Sequence, residues 1–183
     1  MKTRLVEPQE IRQQIWKELA RAGQDRHHEW RTPVLATSSF DGAVNARTVV
    51  LREADAGTQT LKVFTDARSS KVNDLAHQPC GVFVFWSKRL SWQLRVRTTI
   101  TTHTQGPEVQ AIWDKVKQSA AAGDYLSPTA PGSVLTPAEH TPFLHHHFTL
   151  LRAQVLDIDW LELGREGHRR AKIGENAWEW LTP

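Results

Sequence analysis

Two short basic patches hold the residues best able to do chemistry. The first is Arg47-Thr48-Val49-Val50-Leu51-Arg52, an apolar run with an arginine at each end. The second is Phe64-Thr65-Asp66-Ala67-Arg68-Ser69-Ser70-Lys71, where a strand runs out into a turn rich in cations and hydroxyls. A phosphate dianion needs several donors converging in a partly dry site. Arginine offers a planar fork, lysine a point charge, and a helix start offers free backbone N–H groups. Arg47, Arg68, Ser69, Ser70 and Lys71 supply all three kinds. A solvated strand end followed by an ordinary helix cap is the competing reading. The apolar character of the run beside Arg47 counts against it.

Other candidates carry less. His145 and His147 of the His145-His146-His147 run could share a strand face, but no carboxylate or thiolate accompanies them in register, so no metal site is expected. His27 and His28 fall in a polar stretch and read as solvated. Cys80 lies in an apolar run with nothing near it in sequence to lower its pKa, and reads as a small buried residue. There is no Gly-x-Ser-x-Gly elbow, no Gly-x-Gly-x-x-Gly after a strand and no Walker loop, so a nucleophile elbow and a dinucleotide fold are both disfavoured.

Positioning these groups takes a whole domain. A chain of 183 residues suits one well-cored domain spanning 1–183, and two full domains would be cramped. The 23 basic and 20 acidic residues are interspersed, which argues against a nucleic-acid partner. One cysteine, no secretory leader and no apolar stretch near the ~20 residues that span a bilayer point to a cytoplasmic protein away from membranes.

Ile11, Ile15, Leu19 and Ala22 repeat at helical spacing over Pro8–Ala22, and Gly23 is placed to end that helix. A polar loop completes an N-terminal segment over 1–31. Val34–Phe40, the turn signal Asp41-Gly42 and Val44–Arg52 read as a hairpin. Leu61–Thr65 is the next strand, and Asp66 or Ser69 can cap a short helix carrying Val72, Leu75 and Ala76 ahead of Pro79. Gly81–Trp86 is apolar enough to be buried on both sides or to lie at a subunit seam. In Leu90–His103, Trp92, Leu94 and Val96 alternate with Gln93, Arg95 and Arg97. A helix over Glu108–Ala122 precedes a long irregular segment, Gly123–Thr141, of the sort that forms walls of functional sites. Phe143–Ile158 returns to strand, Trp160–Gly164 turns, and Arg169–Ile173 with Ala177–Leu181 form a closing hairpin within 159–183. Trp178 and Trp180 are expected to pack a core and a seam. The fold class is mainly β (α+β): a six- to seven-stranded antiparallel barrel with peripheral helices.

Taken together, the 47–52 run, Phe64-Thr65-Asp66 through Ser69-Ser70-Lys71, Gln93-Leu94-Arg95, and the closing Trp160, His168-Arg169-Arg170, Trp178 and Leu181-Thr182-Pro183 resemble the flavin-binding core of the pyridoxamine 5'-phosphate oxidase family. The resemblance implies an FMN-binding split β-barrel that works as a homodimer with flavin at the subunit seam. It implies that Arg47, Lys71, Ser70 and the neighbouring Ser69 hold the phosphate. Thr48, Val49, Val50, Leu51 and Arg52 would run along the flavin edge, with Phe64 and Thr65 beside them. Gln93 would hydrogen-bond the ring system, and Trp160 and Arg170 would complete the site across the dimer. Ser133, after Pro131-Gly132, matches a further flavin contact.

The departures concern the substrate. The family's first motif ends in a lysine, and Arg52 stands there. The segment around Tyr125 keeps a tyrosine but lacks the arginine that follows it in the oxidase. Glu166 stands where an arginine precedes the retained His168, and an acid facing a substrate phosphate is unfavourable by roughly a kcal/mol or more. The resemblance therefore implies an FMN oxidoreductase for a small molecule with an altered substrate site, with Arg52, Tyr125 and His168 on the substrate side and His168 the candidate acid or base. A true pyridoxine or pyridoxamine 5'-phosphate oxidase is the first alternative. A non-catalytic module for haem, a deazaflavin or single-stranded nucleic acid is the second.

Overall fold

The computed structural model describes residues 4–134 and 145–183. Helix α1, Pro8–Gln24, begins with proline at its first turn and buries Ile11, Ile15, Leu19 and Ala22 completely. Gly23 does not end it. The helix runs past Gly23, where an added Cβ would lie 3.1 Å from the Arg52 carbonyl oxygen and 3.2 Å from the Glu53 Cα. The glycine serves close approach of α1 to the sheet rather than a left-handed cap.

Among the described residues nine strands follow: β1 (Val34–Ser38), β2 (Val44–Thr48), β3 (Leu51–Asp55), β4 (Thr60–Asp66), β5 (Cys80–Ser87), β6 (Trp92–His103), β7 (Phe148–Glu162), β8 (Arg169–Ile173) and β9 (Trp178–Leu181). All pairings are antiparallel, in the order β2-β1-β5-β6-β7-β4-β3, with β8 added to β7 and β9 to β8. This is the split-barrel type of α+β fold. Helix α2 (Ser70–His77) joins β4 to β5, and α3 (Pro107–Val116) with a 3-10 turn at Ala120–Tyr125 follows β6.

The strand number exceeds the expected six to seven because the closing hairpin β8–β9 joins the same sheet and one expected strand is two. Val44–Arg52 pairs with β1 through Thr48, whereas Leu51 onward pairs with β4, at the opposite end of the strand order. The crossing falls at Val49-Val50, where the Val49 N–H donates to the Pro33 carbonyl instead of a ladder partner. The run that drew attention in the sequence therefore bridges the two sheet edges.

Strand β7 extends through Glu162, so the turn expected at Trp160 begins three residues later. Its first half pairs with β4 and its second half with β8. The changeover coincides with a register shift opposite Arg97 and Thr98 that leaves Leu156 unpaired and exposed. The irregular segment expected over 123–141 and the strand start expected at Phe143 lie partly outside the described residues.

The main core fills the space between the sheet and α1, with Trp30, Phe83, Phe85, Leu94 and Trp160 buried completely or nearly so. A second cluster of Val109, Trp113, Tyr125, Phe148 and Leu150 packs α3 against the opposite side of β7. In β5, Phe83 and Phe85 point inward while Val82 and Val84 are half-buried and Trp86 is exposed, so one face of this strand is open in the single chain. Cys80 is exposed, against the expected burial, because it begins the strand at the sheet rim. His28 also departs from expectation: its ring is buried and its Nε2 lies 2.7 Å from Glu18 Oε2.

Candidate functional site

Strand β4 ends at Asp66 and α2 starts at Ser70, so the intervening turn places Thr65, Ser69 and Lys71 side by side. Lys71 Nζ donates to Thr65 Oγ1 at 2.9 Å, and the Thr65 and Ser69 hydroxyls are 3.3 Å apart. No carboxylate is within ion-pair distance of Lys71 among the described residues. Burial, with the Arg47 charge beside it, pushes this ammonium below the usual lysine range, only partly countered by Asp66 and Asp74. Ser69 is the N-cap of α2 yet makes no side-chain cap bond, so its hydroxyl is not committed to the helix. Ser70 is exposed at the first turn.

Arg47 approaches from β2. Its Nη1 donates to Thr37 Oγ1 at 2.6 Å and to the Leu35 carbonyl at 3.3 Å, and its Nη2 lies 3.3 Å from Asp74 Oδ2. The same carboxylate oxygen accepts from Thr37 at 2.6 Å and Asn45 at 3.3 Å. Asp74 thus fixes the guanidinium in place. Sequence reasoning missed Asp74, Thr37 and Asn45, since each takes its meaning from strands and a helix that meet only in the fold. The one local hint was an acid beside Leu75 on the face α2 must bury.

Arg68, grouped with these cations in the sequence, does not join them. Its guanidinium pairs with Asp66 at 2.7 Å and turns toward the carbonyls of residues 127–129. Against burial, which would raise it, the Arg68 pair holds the Asp66 carboxyl below its ordinary value.

The middle of the 47–52 run is backbone-directed. Thr48 is exposed, Val49 and Leu51 are buried, and Val50 is half-buried. Arg52 stands on the other side of the crossing. Its guanidinium carbon lies 5.3 Å from the centre of the Phe64 ring, and its Nε is buried with no hydrogen-bond partner among the described residues. Tyr125 is brought next to it: burial raises the phenol's pKa and the neighbouring Arg52 charge opposes that rise. Two of the three substrate-side residues of the sequence reading, 73 positions apart, are therefore neighbours.

Gln93 lies on the outward face of β6 and pairs across the ladder with Leu161, which pairs with Arg170. Gln93 and Arg170 therefore share one cross-strand row, about 10 Å apart at the usual strand spacing. Arg170 donates to Asp159 through Nε at 3.0 Å and Nη2 at 2.7 Å, and Arg95 pairs with the same carboxylate. Against burial, these two arginines hold Asp159 below the ordinary carboxylate range.

Trp160 is not on that row. It pairs with Leu94 on the inward face, is 0% exposed, and meets Trp92 at 5.3 Å and Trp180 at 6.3 Å between ring centres. Within the single chain the ring is packed among these tryptophans, and its indole Nε1 is buried with no hydrogen-bond partner among the described residues. Ser133 is exposed beyond the Arg68-tethered residues, and His168 is exposed in the turn between β7 and β8 beside the exposed Glu166. Neither is brought to the Lys71 cluster within this chain.

The arrangement can hold a buried or half-buried dianion: an ammonium only partly compensated, a fixed guanidinium, two hydroxyls and a helix start. The family model for the pyridoxamine 5'-phosphate oxidase FMN-binding domain matches residues 13–104, which include Arg47, Lys71 and Gln93. The pyridoxine/pyridoxamine 5'-phosphate oxidase of Cyanothece sp. is 37% identical over 67 residues, 37% of this chain and 30% of that protein. The enzyme of the same description from Anaeromyxobacter dehalogenans is 35% identical over 83 residues, 45% of this chain and 41% of that protein. The match thus spans less than half the length of either curated relative. Among solved structures, a pyridoxamine 5'-phosphate oxidase-related, FMN binding protein from Nostoc punctiforme superimposes with a TM-score of 0.71 at 22% identity, covering 98% of this chain and 100% of that one. PhzG from Burkholderia lata, solved with tetrahydrophenazine-1-carboxylic acid, gives 0.74 at 17% identity with full coverage of both. These two likenesses bear on the fold.

Proposed function

The chain belongs to the pyridoxamine 5'-phosphate oxidase FMN-binding family, and on that premise we propose that it is an FMN-dependent oxidoreductase, a single cytoplasmic domain working as a homodimer on a small molecule. The observation that carries this reading is Lys71, a half-buried ammonium with no carboxylate at ion-pair distance among the described residues, set beside Arg47 and the Thr65 and Ser69 hydroxyls. Such a cluster is incomplete without an anion.

In this reading Arg47, Lys71, Ser69 and Ser70 hold the FMN phosphate, and Thr65 orients Lys71 toward it. The backbone of Thr48–Arg52 lies along the ring edge, with Phe64 behind it. Gln93 presents its amide to the ring of the flavin bound by the partner, and Arg170, braced by Asp159, stands in the same row. Trp160 keeps that row flat from the core. FMN, when bound, supplies two-electron acceptance from a substrate carbon and passes the electrons to an acceptor. The chain's task is to orient the ring, exclude water and hold the substrate through Arg52 and Tyr125, with His168 as the group able to take or give a proton. The open face of β5, bearing Trp86, Val82 and Val84, suits a subunit seam.

The visible spectrum of purified protein titrated with FMN tests this. Flavin bands that survive gel filtration at one FMN per chain are expected. A protein that stays colourless overturns the reading.

A second reading, a true pyridoxine or pyridoxamine 5'-phosphate oxidase, is favoured by the Arg52–Tyr125 pairing, which leaves an anion-holding group on the substrate side. Glu166 opposes it. Turnover of pyridoxamine 5'-phosphate to the aldehyde by FMN-loaded protein would establish it.

A further inference from the structure

We propose that Arg68 is a positioning residue, a strap that fixes the 125–134 segment to the phosphate cradle. The proposal rests on the FMN reading above, through the role given there to Tyr125 and through the flavin contact that the family resemblance implies for Ser133.

Asp66 grips Arg68 from behind. It accepts from the Arg68 backbone N–H at 2.8 Å, from Nε at 3.1 Å and from Nη2 at 2.7 Å. The forward edge of the guanidinium then reaches a distant part of the chain. Nη2 donates to the Ser127 carbonyl at 2.9 Å and to the Thr129 carbonyl at 3.4 Å, and Nη1 donates to the Pro128 carbonyl at 3.2 Å. Three consecutive carbonyls in an irregular stretch have no ladder to satisfy them, and one planar fork with five donors serves them all while keeping its carboxylate. A lysine could not.

A backbone relay runs parallel to this strap. The His147 N–H donates to the Tyr125 carbonyl at 2.8 Å, and the Ala67 N–H donates to the His147 carbonyl at 2.7 Å. Residues 66–68 therefore hold the 125–129 stretch at two places, immediately ahead of Ser69 and Lys71. The consequence is a division of labour. Lys71 and Arg47 meet the phosphate, whereas Arg68 sets where Tyr125 and Ser133 stand relative to it.

The test compares FMN with riboflavin, which lacks the phosphate, in binding titrations of wild type, R68A and K71M. R68A is expected to bind both flavins about tenfold more weakly, leaving their ratio unchanged. K71M is expected to lose affinity for FMN while holding riboflavin, so the ratio collapses. In the flavin-free state, proteinase K should cut R68A within 126–134 several-fold faster than wild type, with circular dichroism unchanged. R68K, which keeps the charge beside Asp66 but not the fork, should resemble R68A and serves if R68A does not fold. An Arg68 variant with wild-type affinity and wild-type cleavage overturns the strap. One that weakens FMN but spares riboflavin overturns it too, by placing Arg68 on the phosphate. If wild type itself binds neither flavin, the FMN reading fails, while the cleavage rates still report on the strap.

Discussion

Lys71 Nζ and Thr65 Oγ1 lie 2.9 Å apart, and the hydroxyl is the sole side-chain partner of that ammonium among the described residues. A lysine held this way is oriented but not neutralised. Lys71→Met should keep the fold, since a methionine of similar length costs little where the ammonium was poorly compensated. Inorganic phosphate should raise the melting temperature of the wild-type apoprotein and leave that of the variant unmoved. Equal stabilisation of both would show that the cradle does not need Lys71.

The depressed Lys71 pKa has a direction in stability. Its folded value lies below the ordinary 10.5, so the unfolded chain holds the proton more tightly between the two values. This group therefore lowers apoprotein stability below its folded pKa, and the penalty lifts as pH rises toward 10.5. Denaturant titrations of wild type and K71M across the alkaline range should converge at the top of that window. Bound FMN should flatten the difference.

Carboxylates give the opposite arm. Asp66 and Asp159 both have folded values below the ordinary 3.8, so their contribution is complete above that pH and is lost as pH falls through the lowered values. Asp159→Asn should remove part of the acid-side slope and loosen Arg170. The unfolding midpoint of the variant at pH 7 set against that at pH 3 measures it, and identical slopes in both proteins would contradict the assignment.

Asp74 is the anchor of Arg47. Asp74→Asn removes the charge facing a half-buried guanidinium and leaves Thr37 and Asn45 a weaker acceptor. A loss of about 3 kcal/mol is expected from chemical denaturation, the low end of the range for breaking a buried ion pair because the guanidinium is only half-buried. FMN should bind more weakly as well, because Arg47 is no longer fixed.

Trp160 can be separated from the cofactor by two substitutions. Trp160→Ala should cost about 3–5 kcal/mol by emptying a fully buried site. Trp160→Phe should be milder and should leave FMN affinity unchanged, as befits a residue acting from the core. A folded Trp160→Phe protein with strongly reduced flavin binding would instead place the ring against the flavin.

Much of this was legible in the sequence for a physical reason: local periodicity and turn chemistry operate over a few residues. The α1 face of Ile11, Ile15 and Leu19, the Asp41-Gly42 hairpin and the alternation of Trp92, Leu94 and Val96 are all short-range signals. So were the cation and hydroxyls of the β4–α2 turn. What the chain order concealed is partnership between distant pieces. Nothing within Val44–Arg52 shows that it leaves one sheet edge and joins the other, since pairing depends on strands β1 and β4 on either side. Nor could Arg68 be told from Lys71: both are cations in one turn, and only tertiary packing gives the first to Asp66 and the carbonyls of 127–129 and leaves the second with no carboxylate at ion-pair distance among the described residues. Residue types and their spacing determined that an anion could be held here. The tertiary structure decided which cation is left to hold it, because charge compensation is a property of neighbours in space.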